Sequence, residues 1–183
     1  MRTRIEREAA GVKGVLTDDE RHAVAAAYQL GLLLSSRWPD VAAHLLVQGA
    51  EGEAVAELAG LSRTESWAVD QLVPQVLSDL AIPELTADQA AEVIARLMGQ
   101  VAVVRPAVDD FAAVRALARL GPDLDYPGGL IGDAYYASEW LDCECHADSD
   151  ERDAAAALER RLRESDPLAV DPQLLAAMSA HWI

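Results

Sequence analysis

Apolar residues recur at helical spacing through most of the chain, and nowhere at the strict alternation of a half-buried strand. The longest such stretch is 86–104. Ala90, Val93, Ile94, Leu97, Met98 and Val101 fall on one stripe, while Asp88, Gln89, Glu92, Arg96 and Gln100 fill the opposite one. From Val101 the run Val-Ala-Val-Val has no polar side, which predicts a helix end enclosed by other helices. Thr86 with Gln89 three residues on makes a capping box at its start. Pro106 stops it, because the ring blocks the helix and disfavours helical dihedrals at Arg105.

The other elements follow from the same reasoning. Thr17 opens a helix with Asp18 and Asp19 at its positive end and Glu20 completing a second capping box, and the pattern carries it to about Ser36. Trp38-Pro39-Asp40 begins a helix ending near Gly49, and Glu51 to Ala59 forms another, closed by Gly60. Thr64 to Leu80 is helical through Trp67, Val69, Leu72, Val73, Val76 and Leu77, with Pro74 predicting either a kink or two short helices. Ala107 to Leu120 buries Phe111, Val114, Leu117 and Ala118, and Leu130 to Leu141, Asp153 to Glu164 and Pro172 to Trp182 complete the set. The chain therefore reads as all-α: a single compact multi-helix domain of eight to ten helices around a central buried helix at about 86–104. Residues 1–16 form a basic N-terminal arm, 17–183 the helical domain, and the Gly/Pro/Asp-rich stretch 121–129 is the place where that domain would subdivide.

Composition narrows the class of function. A chain of 183 residues is long enough to bury a core without metal or disulfide staples. The absence of asparagine and the single lysine, Lys13, fit a high-GC genome and say nothing of function. The net charge of −16 disfavours nucleic acid and anionic lipid and points to a basic protein partner. No apolar run approaches the roughly 20 residues of a membrane span, and the N-terminus lacks a signal-peptide core, so the expected location is cytoplasmic. Cys143 and Cys145 stand one residue apart, too close to staple a fold.

Four groupings carry candidate chemistry. Between Arg119 and Arg152 there is no lysine or arginine but nine acidic residues, with Tyr126, Tyr135, Tyr136 and Trp140 among them. One-signed charge with interleaved rings suits a binding surface, the charges steering and the rings anchoring. From it Asp133, Tyr135, Tyr136, Glu139, Trp140, Asp142, Glu144, Asp148 and Asp150 are taken as partner-binding. The second grouping, Asp142-Cys143-Glu144-Cys145-His146-Ala147-Asp148, gathers metal-ligand types. On a helix, however, residues two apart diverge, so a helix end with a buried cysteine and a solvated His is the preferred account and no metal site is assigned. The third sets Asp18 or Asp19 with His22, and Asp40 with His44, one helical turn apart. Carboxylates in first turns are stabilised by the helix dipole whatever the function, so no catalytic residue is assigned.

The fourth is Val55-Ala-Glu-Leu-Ala-Gly-Leu-Ser-Arg-Thr-Glu-Ser-Trp-Ala-Val69, which resembles a helix-turn-helix with Gly60 at the turn. That resemblance implies a DNA-binding regulator using 51–81. Ser66 stands where the second helix would need an apolar residue, and Glu65 and Asp70 accompany Arg63 where DNA would call for cations or amides.

The function expected from these patterns is an acidic helical protein-binding module that engages a basic protein and needs no cofactor, with enzymatic activity left open and not favoured. A concrete form is an immunity- or antitoxin-type protein covering the basic active site of a nuclease. The helix-turn-helix regulator is the alternative, and a helical-bundle metal-binding protein or enzyme using His22 and His44 is a third.

Overall fold

Local capping starts the fold as the sequence predicts. In the computed structural model, which describes residues 16–104, 110–121, 129–141 and 150–182, Thr17 and Glu20 cap α1 (Asp18–Gln29) reciprocally. Thr86 and Gln89 do the same for α5 (Ala87–Val104), with Thr86 N donating to Gln89 Oε1 at 2.9 Å and Gln89 N to Thr86 Oγ1 at 3.2 Å. Between them lie α2 (Trp38–Val47), α3 (Glu53–Gly60) and α4 (Ser66–Asp79). After them come α6 (Ala112–Ala118), α7 (Gly129–Leu141), α8 (Asp150–Arg163) and α9 (Pro172–Ser179). The protein is all-α, with nine helices and no strand among the described residues.

Several boundaries depart from the periodic pattern. α1 ends at Gln29 rather than near Ser36, because Gly31 takes a left-handed φ of +68° and closes a Schellman turn: Leu32 N donates to Ala27 O at 2.8 Å and Gly31 N to Tyr28 O at 3.0 Å. α4 ends in the same turn around Ala81, whose φ of +52° is unusual for a residue with a Cβ. α3 begins at Glu53 rather than Glu51. α4 runs unbroken through Pro74, which sits on its exposed side. α8 begins three residues earlier than the pattern suggests, and α9 ends at Ser179 rather than Trp182.

The core is one cluster that takes residues from every helix, from Leu16 to Trp182. α1 packs on α5. In α1 the run Ala23, Val24, Ala25, Ala26 and Ala27 is buried on every side, so its small residues let neighbouring backbones approach closely. α5 also supports α6, α7 and α8, while α2, α3 and α4 pack in sequence and α9 lies on α2. The expectation that α5 ends enclosed is corrected: Val101 and Ala102 are buried, but Val103 and Val104 are 59% and 77% exposed. At about 100° per residue Val103 points away from the Ile94–Met98–Val101 stripe, whereas Val104, three residues after Val101 and seven after Leu97, stays on its flank and is exposed at the last residue of the helix. Phe111 is half-buried, with the Arg152 guanidinium 5.5 Å from its ring centre, rather than in the core. Trp67, assigned to the apolar pattern of α4, is 76% exposed.

Two close approaches bind the second half together. A Cβ at Gly99 of α5 would collide with the Leu162 carbonyl, standing 2.7 Å from its carbon, so only glycine permits this crossing with α8. Glu159, 4% exposed on α8, accepts from Val114 N at 2.8 Å and Ala113 N at 3.4 Å, satisfying donors in the first turn of α6. Arg163 Nε donates to the same carboxylate at 2.6 Å, and Arg163 Nη1 reaches Ala102 O at 3.3 Å near the end of α5.

Candidate functional site

Histidine and first-turn acids, the pairs with catalytic potential by spacing, are held by other partners. Asp19 Oδ2 accepts from Ala169 N at 2.7 Å, and Glu20 Oε1 from Asp171 N at 3.1 Å, so the acidic start of α1 fastens the chain entering α9. Asp171 caps α9 through Gln173 N and Leu174 N, and His44 Nε2 lies 3.3 Å from its Oδ1. Asp40 pairs with Arg63 at 2.9 Å and with Arg37 at 3.6 Å, not with His44. His22 Nδ1 lies 2.6 Å from the Asp18 carbonyl. The expected Asp18/Asp19–His22 and Asp40–His44 pairs therefore do not face one another as an acid–base or metal centre. Asp19 and His22 meet backbone groups, Asp18 and Asp40 meet arginines, and His44 meets the carboxylate of Asp171. Among the described residues no group of three or more His, Cys, Asp or Glu side chains could hold a metal ion. The Asp142–Asp148 cluster lies outside the described residues.

His181, at the end of the described residues, has a displaced titration. Partial burial and the nearby Arg37 charge hold its pKa below the usual 6.5, with a hydrogen bond to the Leu32 backbone opposing them. The same Leu32 carbonyl accepts from Trp182 Nε1 at 3.2 Å, which pins the end of the chain against the turn after α1.

The helix-turn-helix segment does form two helices joined by a short turn, α3 and α4. α4 contains no lysine or arginine, and Arg63 at the turn is engaged by Asp40. A cavity of about 560 Å³ lies between α1, α4 and the 82–85 segment, lined by Tyr28, Pro74, Leu77 and Ile82, with Glu84 the one charged lining residue among the described residues.

Aromatic and acidic residues come together instead on α7. Asp133, Tyr136, Glu139 and Trp140 are all exposed there, Tyr136 at 65% and Trp140 at 40%. Tyr135 turns the other way: it is half-buried, and its ring would stand 3.0 Å from a Cβ at Gly121. It meets Tyr136 edge-on, with ring centres 5.8 Å apart. Asp150 is exposed at the start of α8, while Asp142, Glu144 and Asp148 fall outside the described residues. Asp133, Tyr136, Ala137 and Trp140, at helical spacing, form one wall of an open groove of about 480 Å³. The other wall is α8, through Glu151, Ala154, Ala157, Leu158 and Arg161. Sequence spacing marks the α7 wall. It cannot mark Ala154, Leu158 or Arg161, because their relation to Tyr136 and Trp140 exists only once α7 and α8 pack.

The described residues form an all-helical protein with a surface groove between α7 and α8 that is lined by two rings, two acids and Arg161. Compared with protein-family models, curated proteins and solved structures, the chain matches none of them. No helix among the described residues is long and apolar enough to cross a membrane.

Proposed function

We propose that this protein is an acidic helical binding module that engages a basic protein through the exposed face of α7 and the adjoining start of α8. The observation that carries this reading is the placement of Tyr136 and Trp140, two large exposed rings one helical turn apart, beside Asp133, Glu139 and Asp150. Neighbouring aromatic side chains at a surface offer a partner apolar contact area, and acids around them draw a cationic partner and set its approach. α7 contains no lysine or arginine, while α8 brings Arg161 to the facing wall of the groove. A neutralising protein seated on the basic cleft of a nuclease is one concrete member of this class.

Affinity capture at low and high salt tests the reading, using wild type and a D133N/E139Q/D150N variant. The expected result is a basic protein retained by wild type, released by salt and lost by the variant. Equal retention by both proteins would overturn it.

A further inference from the structure

The outward side of α8 carries a charge order that is complementary to itself when one copy is turned end for end. Asp150, Asp153, Ala154, Ala157, Arg160 and Arg161 are all exposed. At 100° per residue they fall within about 120° of the helix circumference and cover about 16 Å of its length. Two acids stand in the first turn, two arginines in the last, and two alanines between them. The other charges of these turns are occupied: Glu159 and Arg163 pair with each other, Arg152 lies over the Phe111 ring, and Glu151 has a partner of its own. No described residue pairs with the side chains of Asp150, Asp153, Arg160 or Arg161; Asp133 lines the groove with Arg161 but forms no ion pair with it.

We infer that α8 pairs with α8 of a second copy of this chain, antiparallel, about a two-fold axis that passes between Ala154 and Ala157. In this register Ala154 meets Ala157 of the second copy, and these small side chains let the helix axes approach to about 8 Å. Asp150 then lies beside Arg161 of the second copy and Asp153 beside its Arg160, and the two-fold axis repeats both contacts. A parallel pair in register sets Asp150 against Asp150 and Arg160 against Arg160, and aligned helix dipoles oppose it as well. The net charge of −16 does not forbid the pairing. Acids elsewhere on the surface are screened beyond about 8 Å at physiological salt, whereas the four contacts are made at the interface itself. The same axis places α7 of both copies on one side of the α8 pair, where Tyr136 and Trp140 border the stripe and give the second copy apolar surface. This inference does not rest on the proposed binding function, but a basic protein held on the same rings competes with the second copy.

Sedimentation velocity of the full chain over about 1–200 µM at physiological salt reads the mass directly. Wild type is expected to move from 19.6 kDa toward twice that mass as concentration rises. D150K/D153K makes the stripe wholly positive and R160E/R161E makes it wholly negative. Each is expected to weaken self-association at least about a hundredfold, since like charges then face one another at both ends. An equimolar mixture of the two variants should restore the dimer, which also shows that both are folded. The exchanged variant D150K/D153K/R160E/R161E should dimerise with itself and not with wild type, because only an antiparallel pair sets its lysines against wild-type arginines. A mass of 19.6 kDa for wild type at every concentration would overturn the inference. So would a dimer that either two-residue variant keeps, or two variants with wild-type circular dichroism that stay monomeric when mixed. Heterodimers of the exchanged variant with wild type would overturn the antiparallel direction. The binding function fails separately: R160E/R161E keeps Asp133, Glu139 and Asp150, so it should still retain the basic protein while losing the second copy.

Discussion

Glu159 is where the second half of the molecule is most vulnerable. Replacing it with alanine removes the acceptor for Val114 N and Ala113 N and leaves Arg163 without its 2.6 Å partner. Breaking a buried ion pair by removing one member costs about 3–5 kcal/mol, and a stranded backbone donor about 1–3 kcal/mol. Because the Arg163 side chain is 32% exposed it regains some water, which places the total near the lower end, at about 3 kcal/mol. For a chain of this size that is a loss of about 6–12 °C in Tm. Urea unfolding followed by circular dichroism should show the midpoint fall with an unchanged slope. Glu159→Gln keeps one acceptor oxygen and should cost about half as much, and a cycle with Arg163→Ala should give a coupling of about 1–3 kcal/mol. A loss below about 0.5 kcal/mol for Glu159→Ala would refute the reasoning, since such a value is typical of an exposed surface substitution.

Three further outcomes follow from the geometry. Gly99→Ala drives a Cβ into the Leu162 carbonyl, so α5 and α8 must separate; the expected cost is about 2–3 kcal/mol by thermal unfolding, and an unchanged Tm would contradict the close crossing. Ala81→Gly relieves a left-handed alanine, and the gain of about 1–2 kcal/mol outweighs the entropy added to the unfolded chain, so the urea midpoint should rise; a fall would contradict the turn geometry. His181 has a folded pKa lowered below 6.5, so the unfolded chain binds its proton more readily, and the associated stability is present above 6.5 and lost as pH falls through the folded value. His181→Gln should therefore flatten the stability profile between about pH 7 and pH 5; an unaltered slope would show that Arg37 and burial do not act on this imidazole.

Elements set by neighbours in sequence were legible, and those set by distant contacts were not. The capping pairs Thr17–Glu20 and Thr86–Gln89 lie within one turn, so their residue types suffice to locate two helix starts. The end of α1 was also written locally, in Gly31, but the apolar run that follows masked it. Ala81 carries no such sign, because alanine does not announce a left-handed turn. Val103 misled because apolar identity does not give direction, whereas the earlier stripe of α5 does; Val104 keeps the direction of Leu97 and Val101 but is the last residue of the helix. The acids of the first turns looked available for chemistry because their partners, such as Ala169 for Asp19, lie 150 residues away. On α7 the spacing of Asp133, Tyr136 and Trp140 is periodic and could be read directly. The α8 wall could not, since alanines and Leu158 read as ordinary core until the two helices are packed.

The most direct test of the central claim is a hydrogen-exchange footprint of the chain in complex with the basic protein it retains. The account predicts slowed exchange across α7 and the first turns of α8, with α3 and α4 unchanged from the free protein. Protection confined to α3 and α4, with α7 exchanging as it does alone, would contradict it and place the working surface on the helix-turn-helix segment.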